Sequence, residues 1–163
     1  MNNDRVNFNE VINPSTINLN IGAETKEAAI GKMADILVKE KRIKEKEKEV
    51  FIEDILKREQ LESTNMGIGV AIPHGKSSSV LKNSIAIARL VEPILWDSTR
   101  GGKPVRIIFL LAVCDGENKN KVHLELISKV AALLMQEKFL NTLFTTESKT
   151  ELIDQIFNLI GEM

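Results

Sequence analysis

Val105-Arg106-Ile107-Ile108-Phe109-Leu110-Leu111-Ala112-Val113 is the stretch that decides the fold. From Ile107 onward it is apolar without a break, and it lacks the alternation of a strand with one wet face. Such a strand is buried on both faces, which places it at the centre of a sheet covered on both sides. The same run is far too short to cross a bilayer. Working outward, helical periodicity returns downstream at about Val122 to Met135, through Leu126, Ile127, Val130 and Leu134. A last helix is expected from about Ser148 to Ile160, opened by a capping-box pattern at Ser148 and Glu151. Upstream, Ser98 to Pro104 reads as a turn around Gly101-Gly102, and Ile85 to Leu90 as a neighbouring strand.

Further upstream, Thr25 caps a predicted helix over about Lys26 to Lys39, with Ala29, Met33, Ile36 and Leu37 on its apolar stripe. A second helix, about Lys46 to Glu59, buries Phe51, Ile52, Ile55 and Leu56. Between them, residues 39–49 are dense in charge of both signs. They read either as a partner-docking patch or as a solvated helix end with Glu–Lys pairs, and the second reading is the expectation. Ile17, Leu19 and Ile21 alternate with Asn18 and Asn20, a half-buried strand. Asn13-Pro14 marks a turn, and residues 1–16 form a short lead-in. Helices around a few strands make an α/β layered fold, and 163 residues suit a single domain.

Composition narrows the function. A hydrophobic content of 43% with 28% charged residues is that of a globular chain. A net charge of -1 gives no bulk attraction to nucleic acid or to an anionic membrane. A lone cysteine, Cys114, allows no internal disulfide and is compatible with a reducing compartment. The N-terminal stretch has no apolar run of signal-peptide type. The expectation is a soluble, cytoplasmic protein.

The chemistry centres on His74. It follows Gly69-Val70-Ala71-Ile72-Pro73, a short apolar strand that Pro73 should end, and it precedes Gly75, which lets the chain turn. An imidazole on a stiff strand end is open to a partner. Its ordinary pKa of about 6.5 leaves a neutral nucleophilic nitrogen at cell pH. A phosphoryl carrier needs little more than that nitrogen, positioning, and charge to steady the moving oxygens. The other histidine, His123, falls in the first turn of the helix from about Val122, on the stripe of Ile127, Val130 and Leu134. It is either an anion-site residue at a helix N-terminus or a partly buried structural histidine. Arg58, on the inward side of its helix, either grips phosphate oxygens or serves the helix dipole. Ser63 and Thr64 either donate hydroxyls to a phosphate or cap a turn. Cys114 reads as a buried small hydrophobe and Trp96 as a cover for the core edge. Asp97, Asp115 and Glu117 could join the histidines at a metal, but His74, Cys114 and His123 match no zinc spacing, so no metal is expected.

Arg58-Glu59 followed by Ser63-Thr64-Asn65-Met66-Gly67-Ile68-Gly69-Val70-Ala71-Ile72-Pro73-His74 closely resembles the signature of the fructose/mannitol-type enzyme IIA domain of the bacterial phosphoenolpyruvate-dependent sugar phosphotransferase system. That family pattern is an Arg-Glu pair at a helix end and then roughly T-G-x-G-x-G-[IV]-A-[IV]-P-H. The strand before His123-Leu124 and the Asn-Pro opening at residues 13–19 are similar too, so the likeness runs from about Phe8 to Leu159. Asn65 and Met66 depart from the usual glycine and isoleucine, and asparagine tolerates positive φ. The resemblance implies a mixed β-sheet flanked by helices and no cofactor. It implies that His74 is phosphorylated through Nε2 by the general phosphocarrier protein HPr and passes the group to a cysteine of enzyme IIB. His123 would orient the phosphoryl group and Arg58 would neutralise it. Contact with a membrane would come only through enzyme IIC. The nitrogen-related enzyme IIA proteins share the motif, so a regulatory role through phosphorylation-dependent binding is the alternative.

Overall fold

The computed structural model describes residues 6–97 and 102–163. Strand β5 (Val105–Cys114) is the axis of a five-stranded sheet, with Ile107 to Val113 buried throughout. Strand β4 (Ser84–Ile94) runs antiparallel beside it, with Ile87 opposite Phe109. Strand β1 (Ile17–Ile21) lies parallel on the far side of β4 and shifts register between Asn18 and Ile21. Along the other edge of β5 run two short parallel strands, β2 (Val70–Ala71) and β3 (His74–Ser77).

The strand expected to end at Pro73 does stop there, β2 closing at Ala71, but pairing with β5 resumes at once at His74. Val70 lies opposite Ile107 and His74 opposite Leu111, so the register is the same on both sides of the proline. A proline cannot donate to a ladder, and an edge strand is where that loss is tolerated. Its carbonyl still accepts from the Leu111 amide at 3.0 Å. His74 thus opens β3 beside β5 rather than leaving the sheet in a loop.

Alternation along the strands divides the core in two. Val70, Ile72, Ile85, Ile87, Ile107, Phe109, Leu111 and Val113 face one side. That side is covered by α1 (Phe8–Val11), α4 (Lys119–Leu134), α5 (Glu137–Thr145) and α6 (Lys149–Gly161). Ala71, Ala86, Ala88, Leu90, Ile108, Leu110 and Ala112 face the other, under α2 (Lys26–Lys39) and α3 (Lys48–Leu61). The many alanines on this second face leave room for helices bearing Met33, Leu37, Phe51 and Ile55 to sit close.

Other expectations hold with changes. Thr25 caps α2 by accepting from the Ala28 amide at 3.1 Å. Ser148 caps α6 through the Glu151 amide, but Glu151 accepts from Thr146 instead of completing a box. Helix α4 starts at Lys119, a turn before Val122. Helix α5 was not expected; Thr142, Thr145 and Asn141 weaken its helical signal, and burial of Phe139 and Leu143 overrides them. The lead-in contributes Phe8, Val11 and Ile12 to the core. In the charged stretch 39–49, Lys44 pairs with Glu47 on the surface, but Arg42 is buried and donates to the Glu10 carbonyl at 2.6 Å. The turn expected at Ser98 to Pro104 lies mostly outside the described residues; Gly102 has φ 68°. No helix among the described residues is long and apolar enough to cross a membrane.

Candidate functional site

The site forms at the β2–β3 edge, where both helical layers reach the end of the sheet. Strand geometry puts every second residue on one face. His74 therefore shares its face with Val70 and Ile72 and looks toward α4. That helix presents His123, with ring centroids 4.7 Å apart and planes tilted by 51°. The two histidines, distant in sequence, are the core of the site.

His74 is buried, and its Nδ1 sits 2.7 Å from the Ile72 carbonyl. A carbonyl only accepts, so Nδ1 carries the proton and Nε2 keeps its lone pair. Burial lowers the His74 pKa from its ordinary value; the Ile72 carbonyl opposes this, Arg58 adds to it, Glu59 opposes it, and Lys76 adds to it. The ring stays neutral and nucleophilic at cell pH. His123 is pushed down to about 4, first by burial and then by His74, Lys76 and Arg58. Its Nε2 is buried with no hydrogen-bond partner. A buried polar atom without a partner costs about 1–3 kcal/mol.

Arg58 lies half-buried in the last turn of α3 and donates to the Glu62 carbonyl at 3.0 Å. It caps its helix, and its charge also bears on both imidazoles. Its hydrogen bond is the helix-end role, and its charge places it within electrostatic reach of the two rings. Gly75 lets α3 come near: a Cβ there would stand 3.0 Å from Ile55 Cδ1.

The hydroxyls of Ser63 and Thr64 are both taken by carboxylates. Thr64 Oγ1 lies 2.9 and 3.0 Å from the two oxygens of Glu59, and the Thr64 amide donates to Glu59 at 2.9 Å. Ser63 donates to Asp97 and accepts from the Asn65 amide. Trp96, buried at the core edge as expected, donates its indole N–H to Glu59 at 2.6 Å. Asn65 side-chain oxygen accepts from the Gly67 amide at 2.9 Å, which fixes the loop where the usual glycine is absent. Gly67 and Gly69 have φ 78° and 84°, the left-handed region that favours glycine. Cys114 is half-exposed, not buried, at the end of β5, and burial raises its thiol pKa.

Two residues near the histidines escaped the sequence reading. Glu59 was seen only as part of a pair, and its role as the anchor of the loop required the fold. Lys76 lies on the same strand face as His74, two residues on, and its charge bears on both rings. Period-two alternation from His74 would have found it. Among the described residues no group of three or more His, Cys, Asp or Glu side chains could hold a metal ion.

Comparison with known proteins returns a match to the family model "Phosphoenolpyruvate-dependent sugar phosphotransferase system, EIIA 2" over residues 10–159. The chain is 35% identical over 147 residues to the fructose-specific EIIABC component of Bacillus subtilis, covering 90% of this chain and 22% of that protein. It therefore spans about a fifth of the length of that relative. It is 30% identical over 153 residues to the mannitol-specific phosphotransferase enzyme IIA component of Staphylococcus aureus, covering 92% of this chain and 96% of that one. Among solved structures, nitrogen regulatory protein IIA-Ntr from Neisseria meningitidis superposes with a TM-score of 0.77 at 31% identity, covering 90% of this chain and 96% of that chain.

Proposed function

The chain belongs to the EIIA 2 family of the phosphoenolpyruvate-dependent sugar phosphotransferase system, and on that premise we propose that it carries a phosphoryl group on His74 Nε2. The observation that supports this reading is the proton held on Nδ1 by the Ile72 carbonyl at 2.7 Å, which leaves Nε2 as the nucleophile beside the unpartnered Nε2 of His123. The donor is the phosphohistidine of HPr. The His74 Nε2 lone pair forms a new N–P bond as the donor N–P bond breaks in line, and the donor nitrogen keeps the electron pair. The ring becomes cationic with its Nδ1–H still donating to the Ile72 carbonyl, which steadies that charge. His123 Nε2–H donates to a phosphoryl oxygen, and Arg58 offsets the oxygen charge. Thr64 and Ser63 contribute by fixing the loop that positions His74, through Glu59 and Asp97. Transfer onward goes to a cysteine thiolate of enzyme IIB, in the service of sugar uptake.

The likeness to IIA-Ntr supports a second reading, in which the same phosphorylation governs binding to other proteins. The two part at the acceptor: the transport reading requires rapid transfer to an enzyme IIB, the regulatory one a partner whose affinity follows phosphorylation.

The test is intact-mass analysis after incubation with phosphoenolpyruvate, enzyme I and HPr, with His74→Ala alongside. One acid-labile phosphoryl group on the natural chain and none on the folded variant is the expected result. Normal labelling of His74→Ala would overturn the assignment.

A further inference from the structure

Lys76 is the one cation placed by strand alternation on the same face and same strand as His74. It is exposed, and among the described residues no carboxylate pairs with it. Its ammonium instead donates to the side-chain oxygen of Asn120 at 2.6 Å. Asn120 lies in the first turn of α4, three residues before His123. The Lys76–Asn120 contact is therefore a second bridge from β3 to α4, lying beside the His74–His123 pair.

The ammonium's bond to the amide oxygen of Asn120 is charge-assisted on one side only. A phosphoryl group near its second ionisation offers anionic oxygens, which add the attraction of opposite charges to the hydrogen bond. Four rotatable bonds let the lysine swing between the two without any movement of the strand. Resting on the carrier reading given above, we propose that Lys76 is a phosphate-binding residue of this site: Asn120 parks its ammonium in the free protein, and the phosphoryl oxygens on His74 take it over. Lys76 and Arg58 would then approach the group from different elements, β3 and α3. The parked state keeps the cation close by while the site is empty. It also presents a positive charge to the incoming donor, whose phosphoryl group is anionic.

The alternative is that Lys76 and Asn120 simply clasp the strand to the helix. A clasp is lost equally when either member is removed, whereas phosphate binding is lost only with the lysine. The experiment is a rapid-quench time course of phosphoryl transfer from phospho-HPr to the natural chain, Lys76→Met, Lys76→Arg and Asn120→Ala. Each variant is checked for native circular dichroism, which surface changes leave intact. Lys76→Met should slow labelling about tenfold or more. Lys76→Arg should keep most of the rate, and Asn120→Ala should label at least as fast as the natural chain. The 31P resonance of phosphorylated Lys76→Met should be displaced, and that of Asn120→Ala should not. An unchanged rate in Lys76→Met, or equal slowing in Lys76→Met and Asn120→Ala, would overturn the proposal while the carrier reading stands. Failure of the natural chain to label would overturn both.

Discussion

Removing Glu59 should loosen the loop that carries the His74 motif, and the size of the loss follows from its contacts. Its carboxylate is 4% exposed and accepts from the Thr64 amide at 2.9 Å, the Thr64 hydroxyl at 2.9 and 3.0 Å, and the Trp96 indole at 2.6 Å. Glu59→Ala strands three donors in a cavity the shape of the lost side chain. Each buried hydrogen bond to a charge is worth about 1.5–3 kcal/mol. The three share one acceptor group, so they will not add in full. A net loss of about 3–5 kcal/mol is expected, from three buried donors losing their partner at once. Glu59→Gln keeps the shape but trades one acceptor oxygen for a donor, and should cost about 1–2 kcal/mol. Urea unfolding near pH 7 measures both, followed by far-ultraviolet circular dichroism because Trp96 emission will change with its partner. The midpoint should fall with the slope unchanged. A loss below about 1 kcal/mol for Glu59→Ala, or equal losses for the two variants, would show that Glu59 does not anchor the loop.

Two further outcomes are expected. Gly69→Ala meets a backbone at φ 84° and a Cβ 2.9 Å from Phe144 Cζ, so it should destabilise by about 2–4 kcal/mol. Adding Phe144→Leu should relieve the crowding and leave the backbone strain of about 1–2 kcal/mol; no relief in the double variant would refute the contact. His123, held down to about 4, should titrate well below 6.5 by proton NMR in the free protein. The unfolded chain takes that proton first, so its contribution to stability is full above about pH 6.5 and is lost as pH falls toward 4. Phosphorylation of His74 should move the titration upward by adding negative charge beside the ring, and an unmoved or lowered value would refute their proximity.

The apolar run of β5 was legible because burial on both faces leaves no alternation to confuse. Helices α2 and α6 were legible because caps and apolar stripes agree, and α3 and α4, which have no side-chain cap, were legible from their stripes alone. Helix α5 was hidden, since Thr142 and Asn141 favour other local structure and only Phe139 and Leu143 reveal its buried side. Pro73 does interrupt the pairing, as a residue with no ladder donor should, but that the chain resumes the same register at His74 depends on β5, and a sequence does not show edges. The pairing of His74 with His123 came from resemblance, not from spacing. No local rule joins a strand residue to a helix that begins after the next two strands. Glu59 was present in the motif and Lys76 lies two residues beyond its end, but their partners, Trp96 and Asn120, are tertiary.

The position of the site follows from the two-faced core. His74 and His123 belong to the layer of α4, whereas Arg58 is carried by α3 on the opposite face. Residues from the two layers can approach one another only where the sheet stops, and β2–β3 is that edge. A central strand would be sealed on both flanks by its neighbours and open to no partner. An edge strand leaves one flank free, and this is also the only kind of strand in which Pro73 is tolerated two residues from the ladder position of Gly75. Gly75 then completes the geometry. With no Cβ, it lets Ile55 press against the strand: an added Cβ would stand 3.0 Å from Ile55 Cδ1, and that side chain would have to give. Arg58 lies three residues after Ile55 on that helix, so the close approach at Gly75 also brings the guanidinium's turn toward the strand. Around this seam Leu61, Met66, Ile68 and Leu124 stand exposed. They come from the end of α3, which carries Arg58, from the loop before β2, and from α4, which carries His123. A protein that docks on this rim would cover the seam and exclude water from it, and the cations would then act on the phosphoryl oxygens in a less polar medium, where each is worth more.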